Sequence, residues 1–468
     1  MRFKGTLVLV LAAAAVGAWL YFYEVRGKEG RERAKEAEGR LWQLEDKDVA
    51  AIALLSPDGR IEARRQEKEG WRITLPRALD ADGAELDRLA RSAATLGRGE
   101  TVEADAADLG RFGLQPPASG VELTSSDGKK YRVDFGSSNP AGSFTYAVRA
   151  GETTVFQVPA AAAESFRVEL DDLRDRTLLA FDQAEAVELE LVSPKGRIAV
   201  VKDGEDRWWF KGVEKREAGG PDVRGILNAL SLGKIHEFSD LGVEEYGNPG
   251  LGRPFIEARV QHGPEGESAR LLVGTEQSKL RAAAASVTLP RAADGVYLAR
   301  DLSRPDPFFV GQELVDKLLK SPDEIRDKAL ASFQRWEADT ILLWNSKGTF
   351  EFHKSGGEWY LGGERKRAKW DAVNGILDAL GSPVLRWIDR PQAPAAYGLD
   401  RPPVRAVVKK GGTVLADVSL GSAAPDGLHA RAAGDPSVKV ADPEGLDWLD
   451  RKREDYVETP AEPETAKE

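Results

Sequence analysis

The side chains able to carry chemistry are few in kind and poorly spaced for it. The chain has no cysteine, which removes disulfides, thiolate metal sites, iron–sulfur clusters and cysteine nucleophiles together. Its four histidines, His236, His262, His353 and His429, include no pair at the i,i+4 spacing with which one helix face holds zinc. Two Ser-x-x-Lys runs could present an acylating serine beside a lysine, but that chemistry wants the serine at the start of a helix. Ser126-Asp127-Gly128-Lys129 reads instead as a hairpin turn, and Ser231-Leu232-Gly233-Lys234 as the end of a helix. Asp171-Asp172, Glu244-Glu245 and Asp175 with Asp182 have the groups for acid–base work or calcium, yet 77 acidic residues make such neighbours expected. No Gly-x-Gly-x-x-Gly opens a helix and no Gly-Lys-Ser/Thr closes a glycine loop, so neither a dinucleotide fingerprint nor a P-loop is present. We expect a non-enzymatic chain with no catalytic, cofactor-binding or metal-binding residues.

The elements that would position any site repeat along the chain. Ser56-Pro57-Asp58-Gly59 returns as Ser193-Pro194-Lys195-Gly196 and as Asn345-Ser346-Lys347-Gly348, each a turn between two apolar runs. Trp71, Trp208 and Trp359 open the next extended run at nearly constant offsets, which predicts one shared packing position. Gly225-Ile226-Leu227-Asn228-Ala229-Leu230 reappears as Gly375-Ile376-Leu377-Asp378-Ala379-Leu380, with Leu89 and Ala93 in the matching stretch of the first copy; this spacing predicts a helix laid on a sheet. Gly113-Leu114, Gly250-Leu251 and Gly398-Leu399 then mark a turn in which glycine ends a short helical stretch. Phe135-Gly136, Val273-Gly274 and Leu420-Gly421 follow on a strand. Leu173-Arg174-Asp175-Arg176 and Ile325-Arg326-Asp327-Lys328 read as a salt-bridged helix closing each copy.

Short turns such as Asp127-Gly128 favour antiparallel hairpins. The predicted class is α+β: an N-terminal transmembrane helix and then three tandem copies of a mostly antiparallel sheet-plus-helix module, at 41–180, 181–332 and 333–455. A charged spacer at 24–40 precedes them and a disordered acidic tail at 456–468 follows. Of the eleven tryptophans, Trp209 follows Trp208 directly, so on a strand one of the two faces outward. Trp336, Trp344, Trp370, Trp387 and Tyr397 belong to the third copy alone and are the candidate interaction surface.

Gly5 to Tyr23 is free of charge, and a helix of that length spans about 28 Å, close to a bilayer core. Its aromatic end, Trp19 to Tyr23, suits a headgroup belt and favours an uncleaved signal anchor; the small residues from Ala12 to Ala18 leave a cleaved signal peptide as the alternative. Arg26, Lys28, Arg31, Arg33 and Lys35 follow the span and only Arg2 and Lys4 precede it, which by the positive-inside count alone would hold the body in the cytoplasm. Large following domains translocate largely regardless of charge, and a cysteine-free chain fits an oxidising compartment. The body is read as periplasmic on a cytoplasmic-membrane anchor. A net charge of −11 argues against nucleic acid as a partner.

The anchor, the tryptophan strand, the Gly-Ile-Leu-x-Ala-Leu helix and the Tyr397-Gly398-Leu399 turn together resemble a bacterial family of membrane-anchored repeat domains of unknown function. Its members are commonly encoded beside gliding-motility-type ABC transporter components. The second copy departs from the pattern, reading Tyr246-Gly247-Asn248-Pro249 before its Gly-Leu. The resemblance implies protein partners in a transporter or envelope complex and brings no catalytic residues. The expected function is a membrane-tethered scaffold or adaptor, with an envelope-glycan-binding protein using the third-copy aromatics as the alternative.

Overall fold

The computed structural model describes residues 39–458 apart from 67–69, 214–215, 248, 363–365 and 445. The expected membrane segment at 5–23, nearly all of the spacer and the tail beyond Glu458 lie outside the described residues. Among the described residues no helix is long and apolar enough to cross a membrane.

The apolar run Val49–Ser56 and the more charged run Gly59–Gln66 pair as two strands, and Gly59 closes the hairpin between them at φ 145°, a conformation reserved for glycine. Gly196 (φ 123°) and Gly348 (φ 149°) do the same in the second and third modules. Each module runs four strands as a meander, then a helix, a short strand and four more strands. The first strand pairs with the sixth, so the order across the sheet is 4-3-2-1-6-7-8-9-5 all three times. The ladders are antiparallel, as the short turns require.

One helix packs on each sheet, at Gly83–Ala94, Gly220–Ser231 and Trp370–Leu380. Leu86, Leu89 and Ala93 face the first core, Ile226, Leu227 and Leu230 the second, and Ile376, Leu377 and Leu380 the third. Trp71, Trp208 and Trp359 are buried in the same three cores. Trp71 also donates its indole N–H to Asp87 Oδ1 on the first helix at 2.8 Å. The shared helix motif of modules 2 and 3 hides a difference. A Cβ on Gly225 would meet nothing within 4 Å, whereas on Gly375 it would lie 2.5 Å from the ring of Trp448. Gly225→Ala should therefore stabilise the chain by about 1 kcal/mol through helix propensity, and Gly375→Ala should destabilise it by about 2 kcal/mol through overpacking. Urea unfolding of the two variants gives the opposite signs directly.

The Gly-Leu turns are where the modules are most alike. Gly113, Gly250 and Gly398 sit at φ 68°, 71° and 68°, left-handed as expected of a helical terminator. Each turn lies against the glycine of the following strand, at a point where that strand's ladder is bulged. The departure of the second copy has a structural cause: Gly247 donates its N–H to Arg281 O at 2.6 Å, and Tyr246 bridges Ala282, both within a loop between Lys279 and Val296 that the other copies lack. Leu280 and Leu289 of that loop share a small core with Tyr246, Leu251 and Phe309.

Two elements differ from expectation. Leu173–Arg176 and Ile325–Lys328 are extended rather than helical: Arg174 bridges Ala81, and Arg326 bridges Ala218. Backbone pairing to the sheet edge holds them extended: Asp175 N–H donates to Asp80 O and Asp327 N–H to Glu217 O, bonds that a helix would have to give up. The short helices stand earlier, at Ala160–Glu164 and Gln312–Leu318. The third module also runs past residue 455, since Tyr456 is fully buried and Val457 bridges Ala368.

The chain divides into two compact units, one ending at Arg176 and one beginning at Thr177, so the second and third modules share a unit. Within it the connecting segment is held at both ends. Asp327 N–H donates to Glu217 O in module 2, and Leu330 N–H to Ser382 O in module 3.

Candidate functional site

That connecting segment walls a pocket of about 350 Å³ between modules 2 and 3. Module 2 contributes its sheet edge, with Trp209 and Glu217 facing each other across the ladder between Trp208–Phe210 and Glu217–Ala218. Module 3 contributes Trp387 and Lys439. Trp208 points into the core, so its neighbour Trp209 faces out, as strand alternation requires.

Arg326 is the keystone. Its side chain is only 3% exposed. Nη1 donates to Asp389 Oδ1 at 2.8 Å, Nη2 donates to Ser437 Oγ at 2.9 Å, and the guanidinium lies 4.7 Å over the Trp387 ring. Arg216 Nη2 reaches the same Asp389 oxygen at 2.9 Å. Lys439 Nζ donates to Leu330 O at 2.8 Å and Ala329 O at 3.2 Å, with Asp435 Oδ2 at 3.6 Å. Burial pulls its ammonium below the ordinary lysine range, against the pull of Asp435. A cation from each side thus fastens module 3 to the connecting segment: Arg326 of the segment to module 3 side chains, and Lys439 of module 3 to the segment's carbonyls.

Glu217 is the exception in this network. Among the described residues nothing donates to its carboxyl and no cation pairs with it. Burial, and then the nearby Asp327 carboxylate, push it up to about 7. Asp327 itself accepts from Ala329 N–H at 3.1 Å and from Ser332 Oγ. A raised carboxyl favours the folded state fully below the unfolded value near 4.5, and that contribution is lost as pH rises through 7. Glu217→Gln should therefore be more stable than the parent at pH 8 by about 1 kcal/mol after solvent screening, with the difference vanishing towards pH 4.5. Thermal unfolding across this range measures it.

The third-module aromatics do not converge here. Only Trp387 lines the pocket. Trp336 and Trp370 are 75% and 61% exposed; Trp370 opens the eleven-residue helix, and Trp336 lies beside Arg335, which pairs with Asp378 in its last turn. Trp344 is partly covered by the Arg405 guanidinium at 5.6 Å. Tyr397 accepts from Gln392 N–H at 3.1 Å and meets His429 edge-on at 5.0 Å, a structural role. Among the described residues no ring contact links any two of the five.

Sequence reasoning missed Glu217, Asp389 and Lys439, and it read Arg326 as part of a salt-bridged helix. A signal existed for two of them: position 72 is arginine where its repeat partner at 209 is tryptophan, opposite an acid in both copies, and Lys439 interrupts the apolar strand Val438–Ala441.

The fold and site define a tandem array of antiparallel sheet-plus-helix modules with a charged pocket between the last two. Residues 71–250 match a domain of unknown function, DUF4340. The matched stretch begins at the buried Trp71 of module 1 and ends at the left-handed Gly250 of module 2, so it runs from one module into the next. No curated protein matches the chain.

Proposed function

We propose that the protein is a non-enzymatic scaffold or adaptor, tethered to the bacterial cytoplasmic membrane through residues 5–23 with its modules in the periplasm, where it serves an ABC-type transporter or envelope complex. The observation that carries this reading is a division of labour among residues. The repeated positions, such as Gly59, Trp71 and Gly113 and their counterparts, all serve turns or cores, while the exposed indoles Trp336 and Trp370 serve neither. Trp370 opens its helix where the other modules have Gly83 and Gly220. Large exposed aromatics that packing does not require are typical of association surfaces. The spread of these rings favours a protein partner over an envelope glycan, since a sugar platform needs rings side by side.

A photo-crosslinking residue placed at 336 or 370 should trap a discrete partner in intact cells, and one at the exposed Val102 of module 1 should not. Equal labelling at all three sites, or none, would count against the adaptor. Tryptophan fluorescence should not change on titration with cell-wall fragments, and a reporter fused after Glu468 should be active only outside the cytoplasm.

A further inference from the structure

We propose that the pocket between modules 2 and 3 binds a small organic cation, an ammonium or guanidinium group on an apolar body, with the Glu217 carboxylate as its counter-ion and the Trp209 and Trp387 indoles flanking the body. This stands independently of the adaptor reading.

The argument comes from comparing the modules. In module 1 the ladder position equivalent to Trp209 is Arg72, which faces Asp80 and pairs with it at 3.1 Å. Asp80 is the counterpart of Glu217, for Asp175 N–H donates to Asp80 O at 3.1 Å just as Asp327 N–H donates to Glu217 O at 3.1 Å. In module 3 the charge at this edge is also paired, Arg367 with Glu358 at 2.8 Å. Module 2 keeps the acid and replaces the internal guanidinium with an indole, whose N–H is already given to Asp203 Oδ2 at 2.7 Å. The result is a half-buried carboxyl on a pocket wall without the cation that its counterpart has.

Among the described residues no neighbouring cation is available to fill the role. Arg207 is held by Glu205 at 2.9 Å, Arg216 and Arg326 by Asp389, and Lys439 by two carbonyls. The same engagement argues against an anionic ligand, which would have to break these pairs. A volume of about 350 Å³ falls in the range of small-molecule sites. An incoming ammonium would relieve the repulsion between Glu217 and Asp327 and replace the water that a charged carboxylate otherwise demands.

The groups facing Glu217 are Asp327 from the connecting segment, Asp203 and Arg207 from the adjoining hairpin, and Lys439 from module 3 with Asp435 beside it. Because Glu217 is held at about 7, its ionised fraction rises about tenfold from pH 6 to pH 8, and cation binding should tighten by about the same factor.

The test is calorimetric titration of the full chain in mild detergent with phenethylamine and with benzylguanidine, using 3-phenylpropionate as the anionic isostere. At least one cation should saturate a single site about tenfold more tightly at pH 8 than at pH 6, and the anion should not bind. Glu217→Gln should abolish binding. Trp209→Arg should abolish it too, by supplying the internal cation of module 1. If neither cation saturates a site at pH 8, or if a folded Glu217→Gln variant binds them as well as the parent, the proposal is wrong. Should Trp209→Arg fail to fold, Glu217→Gln decides alone.

Discussion

Replacing Gly136, Gly274 or Gly421 by alanine should cost about 3 kcal/mol in each case. The Cβ would sit 2.1 Å from Phe112 O, 2.2 Å from Pro249 O or 2.1 Å from Tyr397 O. These are backbone oxygens in turns whose own glycines are left-handed, so neither side can yield by rotating a side chain. The turn must lift off the strand, and the apolar residue after it, Leu114, Leu251 or Leu399, moves with it. In urea, Gly136→Ala should shift only the transition of the unit ending at Arg176, whereas Gly274→Ala and Gly421→Ala should shift the other. Wild-type midpoints for all three would mean that the turn does not dock as described.

Arg326→Ala should destabilise the unit of modules 2 and 3 by about 3 kcal/mol. The change removes both charge-assisted bonds and the stack on Trp387 at once, and it leaves Ser437 Oγ and the Trp387 face without their cation. Asp389 keeps Arg216 and stays partly solvated, which sets the loss at the lower end for a buried pair. Lysine is a poor replacement, because its single ammonium cannot reach two acceptors while stacking flat on an indole. The variant should be cut by protease within residues 326–332 at a concentration that spares the parent. An uncut segment with an unchanged melting temperature would show that the junction does not depend on this side chain.

Features set by local chemistry were legible in the sequence. Gly59, Gly196 and Gly348 had to be turn glycines because each stands in a short polar run between two apolar ones, and they occupy the φ range that demands glycine. The helix at Gly220–Ser231 followed from Ile226, Leu227 and Leu230, whose spacing places all three on one face. The segment around Arg326 misled because its charges suggested an exposed helix, whereas its burial comes from Asp389 and Ser437, 63 and 111 residues further along the chain. The pocket was illegible for the same reason: Glu217, Asp327 and Lys439 come from two modules and the link between them. The third-copy tryptophans were identifiable as a set by composition, but their dispersal depends on which end of a helix or which side of a strand each one occupies.

The account rests on one nine-stranded sheet built three times, and hydrogen–deuterium exchange of the full chain tests it most directly. The sixth strand stands at the middle of every sheet, at Ser119–Ser125, Ile256–His262 and Val404–Lys410, so each should be among the slowest-exchanging segments of its module. Exchange should be faster at the edge strands Leu79–Asp80, Glu217–Ala218 and Lys366–Arg367. A module whose protection peaked elsewhere, for instance with Val404–Lys410 exchanging as fast as Lys366–Arg367, would contradict the shared strand order.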